Sequence, residues 1–264
     1  MTKKYFSYSV QAEEHSTMRL VYFVFATVLL LTICSLSPEH AFAKAWQKAP
    51  LIMVYDRGSM KEVYQDNGAA KINLGELQKS EHVYALGPLS KLRGEIMIVD
   101  SVPYESRIGG GRVQIKTDWN ETAAFLVWAS VPKWRKIRVP ASVLDYGLFD
   151  EWLHTMTVGD EAPLHSQFPF LLKGKLNILK WHIVNRVDDG APLSAAKHNE
   201  SKFYGKARDI EVEMLGFYSP DHKGLFIPDA HSSHIHVKSG EDLLAHVDDF
   251  EPKDEELTLY VPTR

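Results

Sequence analysis

Cysteine is almost absent from this sequence. Cys34 is the only one among 264 residues, and it lies inside a long hydrophobic run near the N-terminus. The rest of the chain therefore has no thiol, which excludes disulfide bonds and thiolate metal ligands there. Histidine and carboxylate groups remain as the ligands of any metal site.

The sequence also has no surplus of positive charge. Its 30 lysine and arginine residues stand against 34 aspartate and glutamate residues, for a formal net charge of −4. No basic stripe interleaved with aromatic residues is present, so we expect no nucleic-acid partner. Internal repeats, low-complexity tracts and Ser/Gly linkers are missing, and the hydrophobic content of 45% is that of an ordinary globular enzyme.

One hydrophobic run is unusually long. It spans Leu20–Leu36, follows a basic residue and precedes SPEHAFA, a small-x-small site that ends at Ala43. This order is typical of a secretory signal peptide, although the run is also long enough for an uncleaved membrane anchor. We therefore predict an N-terminal extension and signal peptide over residues 1–43, with cleavage after Ala43. Residues 44–264 would form the exported domain, free of the membrane and located in the periplasm.

The rest of the chain shows mainly strand patterns. Alternating or continuous apolar segments such as GEIMIVD, AAFLVWASV and PFLLKGKLNILKWHIV dominate from residue 81 onward. Helical spacing is confined to residues 58–79 and to Ala141–Thr155. Strands on both sides of a short helical segment predict an α+β fold with mostly antiparallel sheets and few helices.

Histidine is concentrated near the C-terminus. His234 and His236 are two residues apart, so on a strand their side chains share one face. Ser239–Asp242 (SGED) has turn chemistry, and a returning strand would bring His246 beside the first two. Three neutral imidazoles with an open position form the ligand set of a catalytic zinc site. We regard His231 as a loop residue, and the alternative for all four is an ordinary surface or core role.

A carboxylate is the second candidate. In GEIMIVD, Glu95 shares a strand face with Met97 and Val99, which predicts a partly buried side chain. Buried glutamate is rare unless it is paired, hydrogen-bonded or close to a metal. The alternative is a strand-end residue beside Gly94 that reaches solvent.

Two segments resemble the acetolactate decarboxylase family. GPLSKLRGEIMIVDSVPYES is similar to the family's Gly-x-Phe/Leu-x-x-Leu-x-Gly-Glu hairpin, which leads to Asp-Gly-x-x-Tyr. MLGFYSPDHKGLFIPDAHSSHIHVKSGEDLLAHVDDF is similar to its GF-x-x-P, HxH and GHV-x-D-[FY] segment. The resemblance runs in order over most of Tyr55 to Phe250.

The resemblance implies an α+β fold, often a homodimer, with a zinc site on a C-terminal β-hairpin. It implies that His234, His236 and His246 bind Zn²⁺ and that Glu95 is the active-site glutamate. It also implies a zinc-dependent decarboxylase of a small 2-hydroxy-3-oxo acid such as acetolactate, giving acetoin and CO2.

The sequence departs from the family pattern at several positions. Ser232 and Ser233 precede the HxH pair where the family has Gly-Tyr, and Asp100-Ser101 replaces an Asp-Gly turn. His182, in LKWHIV, occupies the place of an arginine that would meet the substrate's carboxylate, and the family's glutamate near the C-terminus has no counterpart. We expect His182 to contact the substrate in its cationic form, although histidine is a poor substitute for a bidentate arginine.

Two other functions fit these residues. One is a catalytically degenerate periplasmic protein that binds a metal or a small acid. The other is a cupin-like metalloenzyme, because Glu241 follows His236 with HxH-x4-E spacing, although Pro228 stands where a cupin has glycine.

Overall fold

The structure is a computed structural model that describes residues 48–253 and 256–263. The predicted signal peptide and its cleavage site after Ala43 lie outside the described residues. Within the described ranges, no helix is both long and apolar enough to cross a membrane.

The described part of the chain contains three α-helices and fourteen strands. The helices are α1 (Met60–Gln65), α2 (Tyr146–Thr155) and α3 (Ala195–Glu200). The strands are β1 (Tyr55–Arg57), β2 (Ile72–Asn73), β3 (Val83–Pro88), β4 (Glu95–Val99), β5 (Val102–Gly109), β6 (Arg112–Lys116), β7 (Thr122–Ala123), β8 (Leu126–Ser130), β9 (Trp134–Arg138), β10 (Phe168–Val184), β11 (Lys202–Tyr218), β12 (Ser233–Ser239), β13 (Leu243–Pro252) and β14 (Thr258–Pro262).

These strands form two large antiparallel sheets. The first has the order β1-β8-β3-β4-β5-β6, the second has the order β11-β12-β13-β10-β14-β9, and β2 pairs with β7 separately. The predicted α+β class, with mostly antiparallel sheets and few helices, is confirmed.

The second sheet closes on itself through its longest hairpin. β10 and β11 pair along their whole length, and β11 also pairs with β12 through its C-terminal half. Because β12 pairs with β13 and β13 pairs with β10, these four strands form a closed ring of pairing. Closure removes free edges and fixes which residues lie opposite one another.

A tight turn positions the glutamate strand in the first sheet. Asp100 and Ser101 connect β4 to β5 with φ values of 48° and 61°, as a two-residue type I′ turn requires. Hydrogen bonds support this conformation without glycine: the His82 ring lies 2.8 Å from the Asp100 carboxylate, and the Ser101 hydroxyl donates to the Ser80 carbonyl at 2.9 Å. The replaced Asp-Gly turn therefore keeps its shape.

The predicted helix over Ala141–Thr155 is shorter than expected. It begins at Tyr146, because the Asp145 side chain caps it by accepting from the Leu148 N–H at 2.8 Å. Leu144, which the spacing placed on the apolar face, lies before the helix and is 64% exposed.

Helix α2 also anchors the start of β12. The buried Asp150 carboxylate accepts hydrogen bonds from the Ser232 N–H at 2.7 Å and from the Ser233 hydroxyl at 2.6 Å. The Tyr146 hydroxyl donates to the Ser233 carbonyl at 3.0 Å. The two serines that depart from the family pattern thus bind the helix immediately before the HxH pair.

The two large sheets pack against each other through a shared core. Leu86 and Val127 of the first sheet belong to the same buried cluster as Leu215 and Phe217 of the second. A second cluster lies between the second sheet and α2. β4 and β12 therefore meet where both sheets are shielded from water.

Candidate metal centre

Three histidines form a row across the second sheet. His236 of β12 lies opposite His246 of β13, and His246 lies opposite His182 of β10. His234 shares the face of His236, because the two are two residues apart on one strand. The β12–β13 hairpin therefore brings together His234, His236 and His246, the three predicted zinc ligands. His182 of β10 adds a fourth imidazole.

Backbone carbonyls fix the orientation of two of these rings. The His234 Nδ1–H donates to the carbonyl oxygen of Phe226 at 2.7 Å, and the His236 Nδ1–H donates to that of Ile96 at 2.8 Å. In each ring the Nε2 atom is thereby left with its lone pair. This arrangement of an outer hydrogen bond on the second nitrogen is typical of metal-bound histidine.

The remaining nitrogens of these rings have no partner in the described part of the chain. His234 Nε2, His236 Nε2 and His246 Nδ1 are buried there without a hydrogen bond. Burial, with a smaller contribution from neighbouring imidazoles, lowers the pKa of His234 and His236 well below the ordinary value and that of His246 to about 4. All three rings are therefore neutral at physiological pH, the form in which imidazole binds a metal.

The centroids of the rings are spaced as they would be around a single ion. The centroid of the His234 ring lies 5.0 Å from those of His236 and His246, which are 5.7 Å apart. Rings whose nitrogens lie ~2.1 Å from one tetrahedral Zn²⁺ have centroids about 5 Å apart. With its unpartnered nitrogens this donor set has the chemistry of a zinc site, but its ligand atoms do not all lie within 4.8 Å of one another, so the rings would have to turn toward a single ion.

Glu95 reaches this cluster from the first sheet. Its side chain is 2% exposed, its Oε1 atom accepts from the Val184 N–H at 2.9 Å, and its Oε2 atom lies 3.8 Å from His236 Nε2. Burial raises the pKa of the Glu95 carboxyl to about 8, against the opposing effect of the Val184 N–H. The predicted partly buried carboxylate is therefore a fully buried one that faces the imidazoles.

A cavity of about 790 Å³ opens onto these groups. Glu95, His234 and His246 line it together with apolar side chains such as Phe125 and Val184. Concave sites of this kind, mostly apolar with a few convergent polar groups, are typical of small-molecule binding.

A family comparison agrees with this geometry. The sequence model of the alpha-acetolactate decarboxylase family matches residues 54–263. This chain belongs to the alpha-acetolactate decarboxylase family. Its members are carboxy-lyases, so the protein is an enzyme of the decarboxylase type. No curated protein matches the sequence significantly.

Solved structures show the same fold at low sequence identity. An alpha-acetolactate decarboxylase from Bacillus subtilis strain 168 is 15% identical with a TM-score of 0.63, over 80% of this chain and 85% of that one. A Staphylococcus aureus protein of unknown function, similar to alpha-acetolactate decarboxylase, is 14% identical with a TM-score of 0.62, over the same shares. At these identities the likeness shows the fold alone.

The residue in place of the family's arginine already has a carboxylate partner. His182 Nδ1 lies 2.6 Å from the Asp248 Oδ1 atom, which is 3.7 Å from His246 Nδ1. Although burial opposes it, the two imidazoles hold the pKa of Asp248 below its ordinary value. Burial lowers the pKa of His182, against the effect of Asp248. His182 thus donates to an anionic carboxylate through Nδ1, and its Nε2 atom remains for a ligand.

Among the described residues, the cluster whose ligand atoms are close enough together for a metal is a different one. One ligand atom each of His182, His246 and Asp248 lies within 4.8 Å of the others. We favour the set of three histidines, because the Nε2 atoms of His234 and His236 are buried without partners, whereas His182 Nδ1 and Asp248 are already hydrogen-bonded to each other. Asp248 lies 3.7 Å from His246 Nδ1, so its charge acts on that ring without a hydrogen bond.

His231 and Glu241 lie apart from the imidazole cluster. The His231 ring stacks on Tyr146 with centroids 3.9 Å apart, and its Nδ1 atom lies 3.6 Å from the Asp150 carboxylate. Glu241 is exposed in the turn between β12 and β13, so the ligand that a cupin would need does not face the site.

Sequence reasoning missed two basic residues of the cavity wall. His198 of α3 and Lys202, the first residue of β11, line the cavity beside His182. Burial, together with the charge of Lys202, lowers the pKa of His198 to about 4. Neither residue belongs to a recognisable motif, and only the pairing of β10 with β11 brings them to the site.

Proposed function

We propose that this family member is a zinc-dependent decarboxylase of a small 2-hydroxy-3-oxo acid, acetolactate-like, that produces acetoin and CO2. The observation that carries the proposal is that His234, His246 and the buried Glu95 line one cavity, with the unpartnered Nε2 atom of His236 3.8 Å from the Glu95 carboxylate.

Bound Zn²⁺ would supply a Lewis acid for the ketone and hydroxyl oxygens of the substrate, where negative charge develops. His234, His236 and His246 would hold it. The hydrogen bonds that the first two rings donate to the carbonyls of Phe226 and Ile96 hold those rings in orientation.

Glu95 is placed to handle the proton. When the C–C bond to the carboxylate breaks, the electron pair moves toward the neighbouring carbonyl, and the carbon that lost CO2 must then receive a proton. A carboxyl group whose pKa is raised to about 8 by burial is protonated near neutral pH and can donate. Its Oε1 atom is fixed by Val184, so the Oε2 atom facing the cluster is the one that can exchange the proton.

His182 is the second proposed substrate contact. Its Nδ1 atom is occupied by Asp248, so contact with the substrate would go through Nε2. The cavity, at about 790 Å³, is larger than a five-carbon acid, because such an acid has the volume of only several water molecules at about 30 Å³ each. Larger 2-hydroxy-3-oxo acids therefore also fit the site.

Export is part of the proposal. The Leu20–Leu36 run and the AFA site ending at Ala43 support secretion to the periplasm, where the enzyme would meet substrate that has left the cytoplasm. The resemblance to the family supports a homodimer.

The test is turnover of acetolactate by the purified, zinc-loaded protein, with acetoin and CO2 as products. His231→Ala serves as the matched control for His246→Ala, because both histidines lie near the hairpin but only His246 is in the cluster. Turnover that depends on zinc and on His246 supports the proposal. Stoichiometric zinc without turnover of any 2-hydroxy-3-oxo acid would instead identify a metal- or acid-binding protein.

A further inference from the structure

Lys202 is the partly buried lysine of the cavity wall, and no carboxylate of the described residues forms an ion pair with it. Lys202 lies opposite Val184 in the β10–β11 hairpin, and two residues further Tyr204 lies opposite His182. Residues two apart on a strand share a face, so Lys202 extends from the same face as the His182 row. It is half-buried and lines the cavity.

The ammonium group acts electrostatically on the candidate site. Burial lowers the pKa of Lys202, against the effects of Asp248 and Glu95. In turn, the charge of Lys202 contributes to lowering the pKa of Glu95 and of His246. The ammonium group of Lys202 is therefore close enough to Glu95, His246 and Asp248 to act on a substrate bound beside them.

Two other lysines in or near this hairpin have ion-pair partners. Lys180 lies 2.8 Å from Asp249, and Lys197 lies 2.7 Å from Asp189. Among residues 48–253 and 256–263, no carboxylate forms an ion pair within 4.0 Å with Lys202. A cation that is partly withdrawn from water without a partner is costly, and an anionic ligand in the cavity would offset that cost.

We propose that Lys202 binds the carboxylate group of the acid substrate. This inference rests on the proposed function for the identity of the acid. His182 is less suited to the role, because its Nδ1–H already donates to Asp248, and the charge of Asp248 repels a second carboxylate beside it. Asp248 is held by a hydrogen bond with His182, whereas Lys202 forms no ion pair with any carboxylate of the described residues.

The chemistry predicts which kinetic parameter depends on Lys202. The substrate's carboxylate is anionic in the ground state and becomes neutral CO2 as the bond breaks, so its attraction to an ammonium group weakens along the reaction. An interaction of this type strengthens substrate binding more than it stabilises the transition state. Removing the charge should therefore raise KM and should not lower kcat.

A matched pair of non-reacting probes isolates the carboxylate. 2,3-Dihydroxy-2-methylbutanoate keeps two vicinal oxygens and the carboxylate but has no ketone to accept electrons. Butane-2,3-diol is the same skeleton without the carboxylate. Binding of both probes to the zinc-loaded protein is measured by calorimetry, which does not depend on turnover.

Lys202→Met should weaken binding of the carboxylate probe about 10- to 100-fold, the usual effect of losing a charge-assisted hydrogen bond. Binding of the diol and the zinc content should change less than twofold. Lys202→Arg should retain most of the affinity for the carboxylate probe. Lys223→Met is the control, because Lys223 lines the outer cavity wall but is exposed and donates to the Asp229 carbonyl at 3.4 Å.

Several outcomes would overturn the inference. One is equal binding of the carboxylate probe by wild type and by soluble, zinc-containing Lys202→Met. Another is no binding of that probe by wild type. A third is a KM that rises with pH only while His182 is present. Trapping of acetolactate on Lys202 by borohydride would assign it a covalent role instead. If acetolactate is not decarboxylated but probe binding still depends on Lys202, the proposed reaction fails while the assignment of Lys202 stands.

Discussion

Replacing Glu95 by glutamine tests the proposed proton donor without changing the packing around it. Glutamine has nearly the same shape, and its amide oxygen can still accept from the Val184 N–H, which lies 2.9 Å from Oε1 in the native protein. Alanine would instead leave that buried donor unsatisfied, at a cost of about 1–3 kcal/mol. Glu95→Gln therefore removes the titrating proton while it preserves the packing.

The first expected result is kinetic. General acid–base groups contribute about 10²–10⁴-fold to turnover. With zinc bound, Glu95→Gln should therefore lower kcat for acetolactate by a factor in that range and retain the metal. Acetoin formation under saturating substrate measures kcat, and metal analysis of the same sample measures the zinc content.

The second expected result concerns the metal-free protein. The pKa of Glu95 is raised from 4.5 to about 8 in the folded protein. Between these pH values the unfolded chain binds fewer protons than the folded one, so the free energy of unfolding falls as pH rises. At about 1.36 kcal/mol per pKa unit, the full effect is about 5 kcal/mol. Glu95→Gln should abolish this decline, so the difference in free energy of unfolding between variant and wild type should grow from pH 5 to pH 8.5.

Urea unfolding of chelator-treated wild type and variant gives this difference directly. Glu105→Gln is the kinetic control, because Glu105 is equally buried but pairs with Arg107 at 3.3 Å and lies opposite Ile96, on the other face of β4 from Glu95. It should keep wild-type kcat per folded molecule. Unchanged turnover in Glu95→Gln, or parallel unfolding profiles for both proteins, would refute the assignment of Glu95 as a buried proton donor.

Four further outcomes are expected. The protein should hold about one zinc per chain, as metal analysis will measure, and His246→Ala should lose it while His231→Ala keeps it; zinc retained by His246→Ala would show a different ligand set. Asp248→Asn should weaken zinc binding about 10- to 100-fold in competition with a chelator, because the amide orients the imidazoles less firmly. His182→Ala should raise KM for acetolactate without releasing zinc, and an unchanged KM would remove it from the substrate site. N-terminal sequencing of the exported protein should begin at or near Lys44, whereas a membrane-bound protein that retains the hydrophobic run would contradict cleavage.

The hairpin of the candidate metal centre could be predicted from sequence because its determinants are local. Alternation places His234 and His236 on one face, and the SGED turn fixes the register that brings His246 opposite His236. The approach of Glu95 could not be derived in this way. It depends on β4 of one sheet packing against β12 of the other, and the resemblance to the family supplied what periodicity could not.

The position of His182 on β10 could not be predicted from local sequence either, because it also depends on contacts between distant parts of the chain. His182 meets His246 through pairing of strands far apart in the chain, and a bulge near Trp181 shifts the register between them. A one-residue slip would turn the side chain to the opposite face, so the sequence alone does not determine whether His182 faces the cavity. The start of α2 was misplaced for another reason: apolar spacing extended the helix to Ala141, whereas the Asp145 cap begins it at Tyr146.

The histidine at the family's arginine position is connected with the charged residues next to it, Asp248 and Lys202. A histidine in place of an arginine removes a permanent cation, and a single substitution of that kind would leave an anionic substrate without a partner. Here His182 is paired with Asp248, which occupies the variable position of the GHV-x-D pattern, so this pair contributes no net positive charge when the imidazole is neutral. A partly buried lysine of the cavity wall, Lys202, lies on the neighbouring strand within the same β10–β11 hairpin. If the proposed roles hold, the ammonium group that meets the substrate's carboxylate is one strand away from the position of the family's arginine, beside the imidazole cluster and the buried Glu95.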